Sequence, residues 1–459
     1  MRIRAAVAAI LLGVMHPVAC ADEPSSPRRP VAPKQADARP NVLIFVADDQ
    51  RSGTLSKMRH VQRRFVKRGT NYTYAFDTTP LCCPSRASIF TGQYAHNHGV
   101  TNNSREEVLG LDQQTTLQYN LDRAGYHTAI FGRYFNFWPI RRDPPSFDRW
   151  SILGKKYYRA KFNVQGRIKE IRRHSTGFIT DSAVRFLRRR AASDDPWFTY
   201  IAPYSVHAPF TSQPKYREAQ VPPWAGNPAV GENVDDKPPW VREDPVSSRQ
   251  SAKVRKKQLR ALLSIDDMVK RVFRTLRQTG QAKNTIAFYM SDNGFLWGEH
   301  HQIGKRFPYI RSMQLPMAAR WPGHIDAGTR DGRLAANIDV APTIYEAVGI
   351  DPGHTVDGRS LLLGWDRDRL LVEYKRDFGR FDRVPTWAAT LTRGYEYVEH
   401  FGDDGEMMSR EYYDLIDDPW QLDNLLGDGD PTNDPPSPTL QALSVVLSRD
   451  RECAGSSCP

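Results

Sequence analysis

Cysteine is scarce in this chain, with five in 459 residues. That is too few for a disulfide framework to stand in for a hydrophobic core. The two spaced cysteine pairs of a zinc site are missing as well: Cys82 and Cys83 are adjacent, and the other pair lies at the far C-terminus. No internal apolar run is long enough to span a bilayer, and there is no internal repeat. Acidic residues are outnumbered, 52 against 64 Lys and Arg, which gives a formal net charge of +12. Such a surface draws acidic polymers by long-range steering. Nucleic acid is set aside as a partner because the basic runs, Arg188-Arg189-Arg190 and residues 253–257, are scattered and not interleaved with aromatics. They read as solvated faces.

Apolar residues make up 40% of the sequence, enough for one large α/β domain and a smaller one. Residues 1–21 read as an export signal: Arg2 and Arg4, an apolar stretch from Ala5 to Val14, then small residues around Ala19-Cys20-Ala21. Cleavage after Ala21 releases a soluble protein. Cleavage before Cys20 with lipidation anchors it, and Pro17, where a lipobox prefers Leu, favours release. Residues 22–40, rich in Pro, Ser and Arg, read as a disordered linker. The predicted catalytic domain spans 41–364 and a C-terminal antiparallel subdomain spans 365–459.

Four apolar runs of strand length each end in polar chemistry. Asn41-Val42-Leu43-Ile44-Phe45-Val46-Ala47 reads as a central parallel strand buried on both faces, and it ends in Asp48-Asp49. Residues 127–131 lead to Gly132-Arg133-Tyr134, residues 197–202 to His207, and residues 285–290 to Ser291-Asp292-Asn293-Gly294. Open α/β sheets place ligands at such carboxyl ends. A long helix is predicted over 255–279 from its apolar stripe, and its Asp266-Asp267 reads as structural. Past residue 345 the pattern becomes antiparallel, with strands at 370–374, 387–392 and 395–400, and a tail helix over 440–447. Residues 150–177 and 222–245 read as loops that set specificity.

Asp48, Asp49, Asp292 and Asn293 offer only oxygen ligands, three of them anionic. That donor set suits a hard cation, Ca²⁺ ahead of Mg²⁺, and not zinc. Between these pairs lies Leu81-Cys82-Cys83-Pro84-Ser85-Arg86-Ala87-Ser88-Ile89-Phe90-Thr91-Gly92. Its pattern suits a short helix with Pro84 in the first turn, which puts Cys82 at the entrance, where backbone N–H groups favour an anion. Read from the residues alone, the two thiols could also be simply buried, or half of a metal site.

The string Cys82-Cys83-Pro84-Ser85-Arg86 followed by Thr91-Gly92 resembles the signature of the type I sulfatases, and the doubled cysteine resembles their N-acetylglucosamine-6-sulfatase and heparan sulfatase branch. The resemblance covers nearly everything from Asn41 onward, including Tyr413-Asp414-Leu415 through Asn424-Leu425 and the terminal Cys453-Ala454-Gly455-Ser456-Ser457-Cys458, whose two cysteines are close enough to pair. It implies an alkaline-phosphatase-like α/β fold with a large, mostly parallel sheet. It implies that a formylglycine-generating enzyme converts Cys82 to Cα-formylglycine, which completes a cation site formed by Asp48, Asp49, Asp292 and Asn293. Arg86 then holds the modified residue, Lys305 and Arg133 bind sulfate, and His207 protonates the leaving group. Arg133 is a departure, since the family usually has Lys there. Arginine keeps the charge but never deprotonates, so sulfate contact survives the swap and proton donation does not. Where many members have a second histidine the chain has Phe135, followed by Asn136.

His96, His98, His300 and His301 either line the pocket or are structural; the sequence leaves both open. Asn71 and Asn102 begin glycosylation sequons. The expected activity is hydrolysis of sulfate monoesters outside the cytoplasm, on a sulfated sugar such as an N-acetylglucosamine 6-sulfate, or on an aryl sulfate. The alternatives are a phosphonate or phosphate ester hydrolase of the same superfamily and a non-catalytic binder of sulfated glycans.

Overall fold

Apolar runs without polar alternation have to be covered on both faces, and in the computed structural model of the protein they form the middle of a ten-stranded sheet. The structure describes residues 39–243, 245–377 and 383–459. The expected export signal, the anchor site at Cys20 and residues 22–38 of the expected linker lie outside the described residues. Arg39 and Pro40 are already tied to the body, through Arg39 to the Ala124 carbonyl (2.7 Å) and from the Tyr126 hydroxyl to the Pro40 carbonyl (2.9 Å).

Across the sheet the order is Thr329–Asp331, Thr70–Tyr72, Met317–Arg320, Thr285–Ser291, Asn41–Ala47, Trp197–Ala202, His127–Gly132, Arg149–Leu153, Ala160–Val164, Arg167–Ile171. The strands from Thr285 to Arg149 in that order are mutually parallel, so their carboxyl ends share one edge. Register makes this tight: Ala47 stands opposite Ser291, and Gly132 opposite Ala202. The four polar strand ends therefore meet.

One face of the sheet is covered by the helix Ser248–Gln278, whose Leu262, Ile265, Val269 and Phe273 are buried with Leu43, Phe45 and Tyr289 of the strands. This helix begins earlier than the apolar stripe predicts. Ser247 accepts from the Gln250 N–H (3.3 Å) and the Gln250 side chain accepts from the Ser247 N–H (3.0 Å), a capping box that recruits a polar first turn. Its two central acids are structural, as expected. Asp266 accepts the N–H groups of His60 (2.7 Å) and Val61 (2.9 Å), and Asp267 pairs with Lys215 at 2.7 Å.

The structure corrects one reading outright. Residues 150–177 are not a loop: they hold most of the strand Arg149–Leu153 and two further strands, Ala160–Val164 and Arg167–Ile171, that extend the sheet antiparallel past it. The outermost, Arg-Ile-Lys-Glu-Ile, is polar because it is an edge, and charge on an edge strand hides the apolar alternation that marks a strand. Beyond the sheet, Leu370–Tyr374, Thr386–Leu391, Tyr395–Phe401 and Met407–Asp414 form a four-stranded antiparallel sheet. Its last strand carries the Tyr413-Asp414 segment. The tail helix runs Ser437–Asp450, and Cys453 and Cys458 are bridged.

Candidate active site

The helix Cys82–Thr91 is buried at every position. Leu81 enters it in an extended conformation, and Gly92, at φ 73°, ends it in a left-handed turn that favours glycine. With Pro84 at its third position, the helix spares one N–H. The Cys83 N–H is instead taken by Asn103 Oδ1 at 3.0 Å. Cys82 Sγ consequently points over the shared strand edge, at the base of a cavity of about 430 Å³.

Each strand end adds a group. Asp48 lies at the end of Asn41–Ala47 with no exposure, and Asp49 follows at φ 64°. That is a left-handed conformation a non-glycine residue holds only where its surroundings fix it. The fixing contacts are the Asp49 N–H to Asp292 (3.1 Å) and Gln258 to the Asp49 carbonyl (3.1 Å). Arg133 follows Gly132, where a Cβ would sit 1.9 Å from the Ala202 carbonyl oxygen, so only glycine lets the two strands approach. Arg133 Nη1 donates to Asp48 at 2.9 Å, and its guanidinium stacks 4.9 Å from the Tyr204 ring.

Arg86 is wholly buried and bridges the two acidic strand ends. Its Nε and Nη2 reach Asp292 at 3.0 and 2.9 Å, and Nη2 lies 3.5 Å from Asp48. Lys305 donates to Asp49, to Asn293 Oδ1 at 2.9 Å and to Cys82 Sγ at 2.7 Å. His207 is partly exposed at the mouth, with Nε2 3.8 Å from Asp49; its Nδ1 is 2.9 Å from the Ala208 carbonyl, and its ring stacks on Tyr204.

All nine sequence-predicted residues thus come together: Asp48, Asp49, Cys82, Arg86, Arg133, His207, Asp292, Asn293 and Lys305. Three carboxylates face three buried cations. Burial opposes ionisation of Asp48 and Asp49, yet Arg133 beside the first and Lys305 beside the second hold both below the usual carboxylate range. Asp292 is pushed up by burial and then by the charge of Asp48. The Cys82 thiol is pushed far up by burial, which the nearby Lys305 only partly offsets.

Three residues in the site carried no sequence signal of their role. Asn103 lines the cavity and holds the Cys83 N–H; the sequence shows it only inside a sequon whose Asn102 is itself 5% exposed and so closed to modification. Asp77 accepts from the Gly294 N–H at 3.3 Å, and its other oxygen is buried without a partner among the described residues. Burial raises its carboxyl well above the ordinary range. Asn337 donates to Ser85 Oγ at 2.9 Å and so braces the helix. Asn136, which the sequence did flag, lines the cavity with a buried Oδ1 that has no partner among the described residues.

The histidine question closes on the structural side. His96 bonds Glu373 and the Cys453 carbonyl, each at 2.9 Å, and His98 lies 3.1 Å from Ser88 Oγ, its ring held neutral by burial at about 3. His300 is 2.6 Å from Glu232, and His301 is 2.9 Å from the Glu232 carbonyl. None of the four lines the cavity over Cys82.

Residues 40–350 match the family model described as Sulfatase, and residues 298–434 match the one described as N-sulphoglucosamine sulphohydrolase, C-terminal. The chain is 30% identical over 348 residues to an extracellular sulfatase SULF-1 homolog of Drosophila melanogaster, a match that covers 71% of this chain and 31% of that protein. It therefore spans about a third of that relative's length, and about half of a second such homolog. With the N-acetylglucosamine-6-sulfatase of Homo sapiens it shares 29% identity over 92% of this chain and 86% of the other. A solved structure of a protein in complex with its substrate D-glucosamine-2-N,6-O-disulfate superposes with a TM-score of 0.78 at 22% identity, covering 90% of this chain and 98% of the other.

Proposed function

The chain belongs to the sulfatase family, and from that premise we propose that it is an extracytoplasmic sulfuric ester hydrolase acting on a sulfated sugar through a formylglycine at position 82 and a hard divalent cation. One observation carries the reading: Asp49, Cys82, His207 and Lys305 line one cavity, and Asp48, Arg86, Arg133, Asp292 and Asn293 are joined to them and to one another in a single buried polar network. A structural core has no use for three buried carboxylates and three buried cations in one place.

The donor set fits a cation. The ligand atoms of Asp48, Cys82 and Asp292 lie within 4.8 Å of one another, and Asn293 with Asp49 supplies two further oxygens. The acids and bases of the site cancel in charge, so a divalent ion would turn a neutral floor into a positive one, which an anionic ester requires. Asp48, Asp49, Asp292 and Asn293 would hold the ion, which would polarise the sulfate oxygens. Arg86 would keep its two acids in place.

The thiol itself argues for modification. Held protonated by burial, Cys82 is a poor nucleophile as it stands. An aldehyde at this position supplies a hydrated pair of hydroxyls, one to attack sulfur and one to regenerate the carbonyl as sulfate departs.

The remaining chemistry falls to the chain's own side chains. Arg133 and Lys305 flank position 82 and can each donate to a sulfate oxygen, an interaction that strengthens as charge builds. His207 sets Nε2 3.8 Å from Asp49, on the cavity wall beside position 82, and can deliver its proton to the leaving oxygen. Phe210, Phe295 and Phe307 wall the cavity and exclude water around the ester. The relative's N-acetylglucosamine-6-sulfatase name supports a 6-sulfated amino sugar as the first substrate to try.

The test has two parts. Mass spectrometry of the tryptic peptide ending at Arg86, from protein made in its native host, should show the aldehyde form. Rates on an aryl sulfate should exceed those on the matching aryl phosphate. Unmodified thiol alone would favour the non-catalytic binder, and a phosphatase preference would favour the phosphoester hydrolase.

A further inference from the structure

A second pocket, of about 260 Å³, opens beside the segment that follows Asp49, with Arg51, Arg255 and Arg311 in its wall and Lys57 at its rim. Arg51 and Arg255 are 6% and 8% exposed, whereas Lys57 faces solvent. The two buried guanidinium groups lie over the same indole, 4.7 and 5.8 Å from the Trp297 ring, and Arg255 also lies 5.4 Å from Trp224.

Their charges are poorly matched. Glu299 pairs with Arg51 at 2.7 Å, and the same oxygen already accepts from Asn227 at 2.6 Å. Arg255 donates to a neutral carbonyl, that of Pro222, at 2.9 Å. Arg311 donates to Ser52 Oγ (3.2 Å) and Gln314 Oε1 (2.7 Å), and its buried Nε has no partner among the described residues. Among the described residues no carboxylate forms an ion pair with Arg255, Arg311 or Lys57. Burial, and then the charge of Arg51, hold Arg255 and Arg311 below the usual guanidinium range, Arg311 at about 10.

Stacking on tryptophan explains why one guanidinium settles on one ring. Arg311 likewise lies 4.8 Å from the Trp420 ring, but ring contacts do not offset three guanidinium groups around one pocket with a single carboxylate, paired to Arg51 alone, because like charges in a half-desolvated pocket repel. A bound oxyanion removes that repulsion and presents the acceptors that planar guanidinium forks match in pairs.

We propose that Arg51, Arg255 and Arg311 form a second oxyanion site that takes a sulfo group, distinct from the cavity over Cys82. The volume admits such a group with part of the sugar that bears it, and not a whole oligosaccharide. Two sources share this chemistry: inorganic sulfate, or a sulfate substituent further along a polymeric chain.

The site can be read without turnover. Crystals soaked in sodium selenate should show an anomalous peak between Arg255 and Arg311. The peak should vanish in Arg255→Met, which keeps the stem, and weaken in Lys57→Glu, an exposed change that spares folding. Both variants should keep aryl sulfate hydrolysis within about twofold, since neither residue touches the cavity over Cys82. Absence of the peak from wild-type crystals, or its persistence in Arg255→Met, overturns the proposal. Titration with a sulfated hexasaccharide then separates the sources. A tenfold or greater loss of affinity in Arg255→Met assigns the site to the polymer; unchanged glycan affinity together with the lost selenate peak assigns it to free sulfate. Failure of the Cys82 reading would leave the selenate peak in place, so the two are distinguishable.

Discussion

The Lys305 ammonium stands 2.7 Å from the sulfur of Cys82 and 2.9 Å from Asn293 Oδ1, while it also pairs with Asp49. One side chain from the loop after Thr285–Ser291 thus touches residue 82 and two of the proposed cation ligands. Replacing it by Met removes a buried donor aimed at the reacting centre. The expected loss in kcat is about 100-fold or more, the range for a single donor to developing negative charge. Full activity in Lys305→Met would remove it from the mechanism.

The two adjacent thiols should separate cleanly. Cys83 is buried, with its sulfur 3.4 Å from the Asn136 carbonyl and turned away from the cavity floor. Cys83→Ser should therefore leave both the aldehyde at 82 and turnover intact, whereas Cys82→Ala abolishes both. Loss of the aldehyde in Cys83→Ser would mean that the register of the motif is wrong.

A leaving-group series tests His207. A general acid matters most when the departing oxygen is a poor leaving group. His207→Ala should slow hydrolysis of an alkyl or sugar sulfate by about 10² to 10⁴-fold, and that of an activated aryl sulfate far less. Equal losses on both would assign His207 to binding.

Cation binding can be followed by stability as well as by rate. An ion that binds only the folded state adds about 2.7 kcal/mol at a hundredfold excess over its Kd. Calcium should accordingly raise the Tm of the chelator-stripped wild type, and fail to do so in Asp292→Ala. The same shift in both proteins would place the ion elsewhere.

Asp266 offers a pH test remote from the site. Burial lifts its carboxyl to about 6 from an ordinary 3.8, although the His60 and Val61 N–H groups pull it down. A folded pKa above the unfolded one favours the protonated form. Its contribution is present below the unfolded pKa, near pH 4, and is lost as pH rises through 6. The two-unit gap is worth at most about 3 kcal/mol. Asp266→Asn should raise Tm at pH 7.5 and change it little at pH 4, the reverse of what removing a stabilising ion pair would do.

Much of the site was legible because its residues advertise themselves locally. A continuous apolar run followed by Asp48-Asp49, and another followed by Asp292-Asn293, identify strands and their ends within ten residues of chain. The Cys82 to Gly92 string carries its helix start, its proline and its glycine stop in one stretch. The histidines were not legible in this way. His96 looks the same in sequence whether it faces a substrate or, as here, Glu373 and the tail carbonyl of Cys453. Residues 150–177 were misread for a related reason, since a polar edge strand is defined by its partner and not by its own pattern.

The sequence by itself determined the chemistry on offer: which acids, which thiol, which cations, and that they stand at strand ends. Only the tertiary structure decided which of them meet. Parallel register between Ala47 and Ser291 brings together residues more than 240 positions apart, and the same folding gathers Arg51, Arg255 and Arg311 into a pocket that no local motif announces. Hydrophobic periodicity and turn chemistry act over a few residues, whereas charge convergence depends on where distant segments pack.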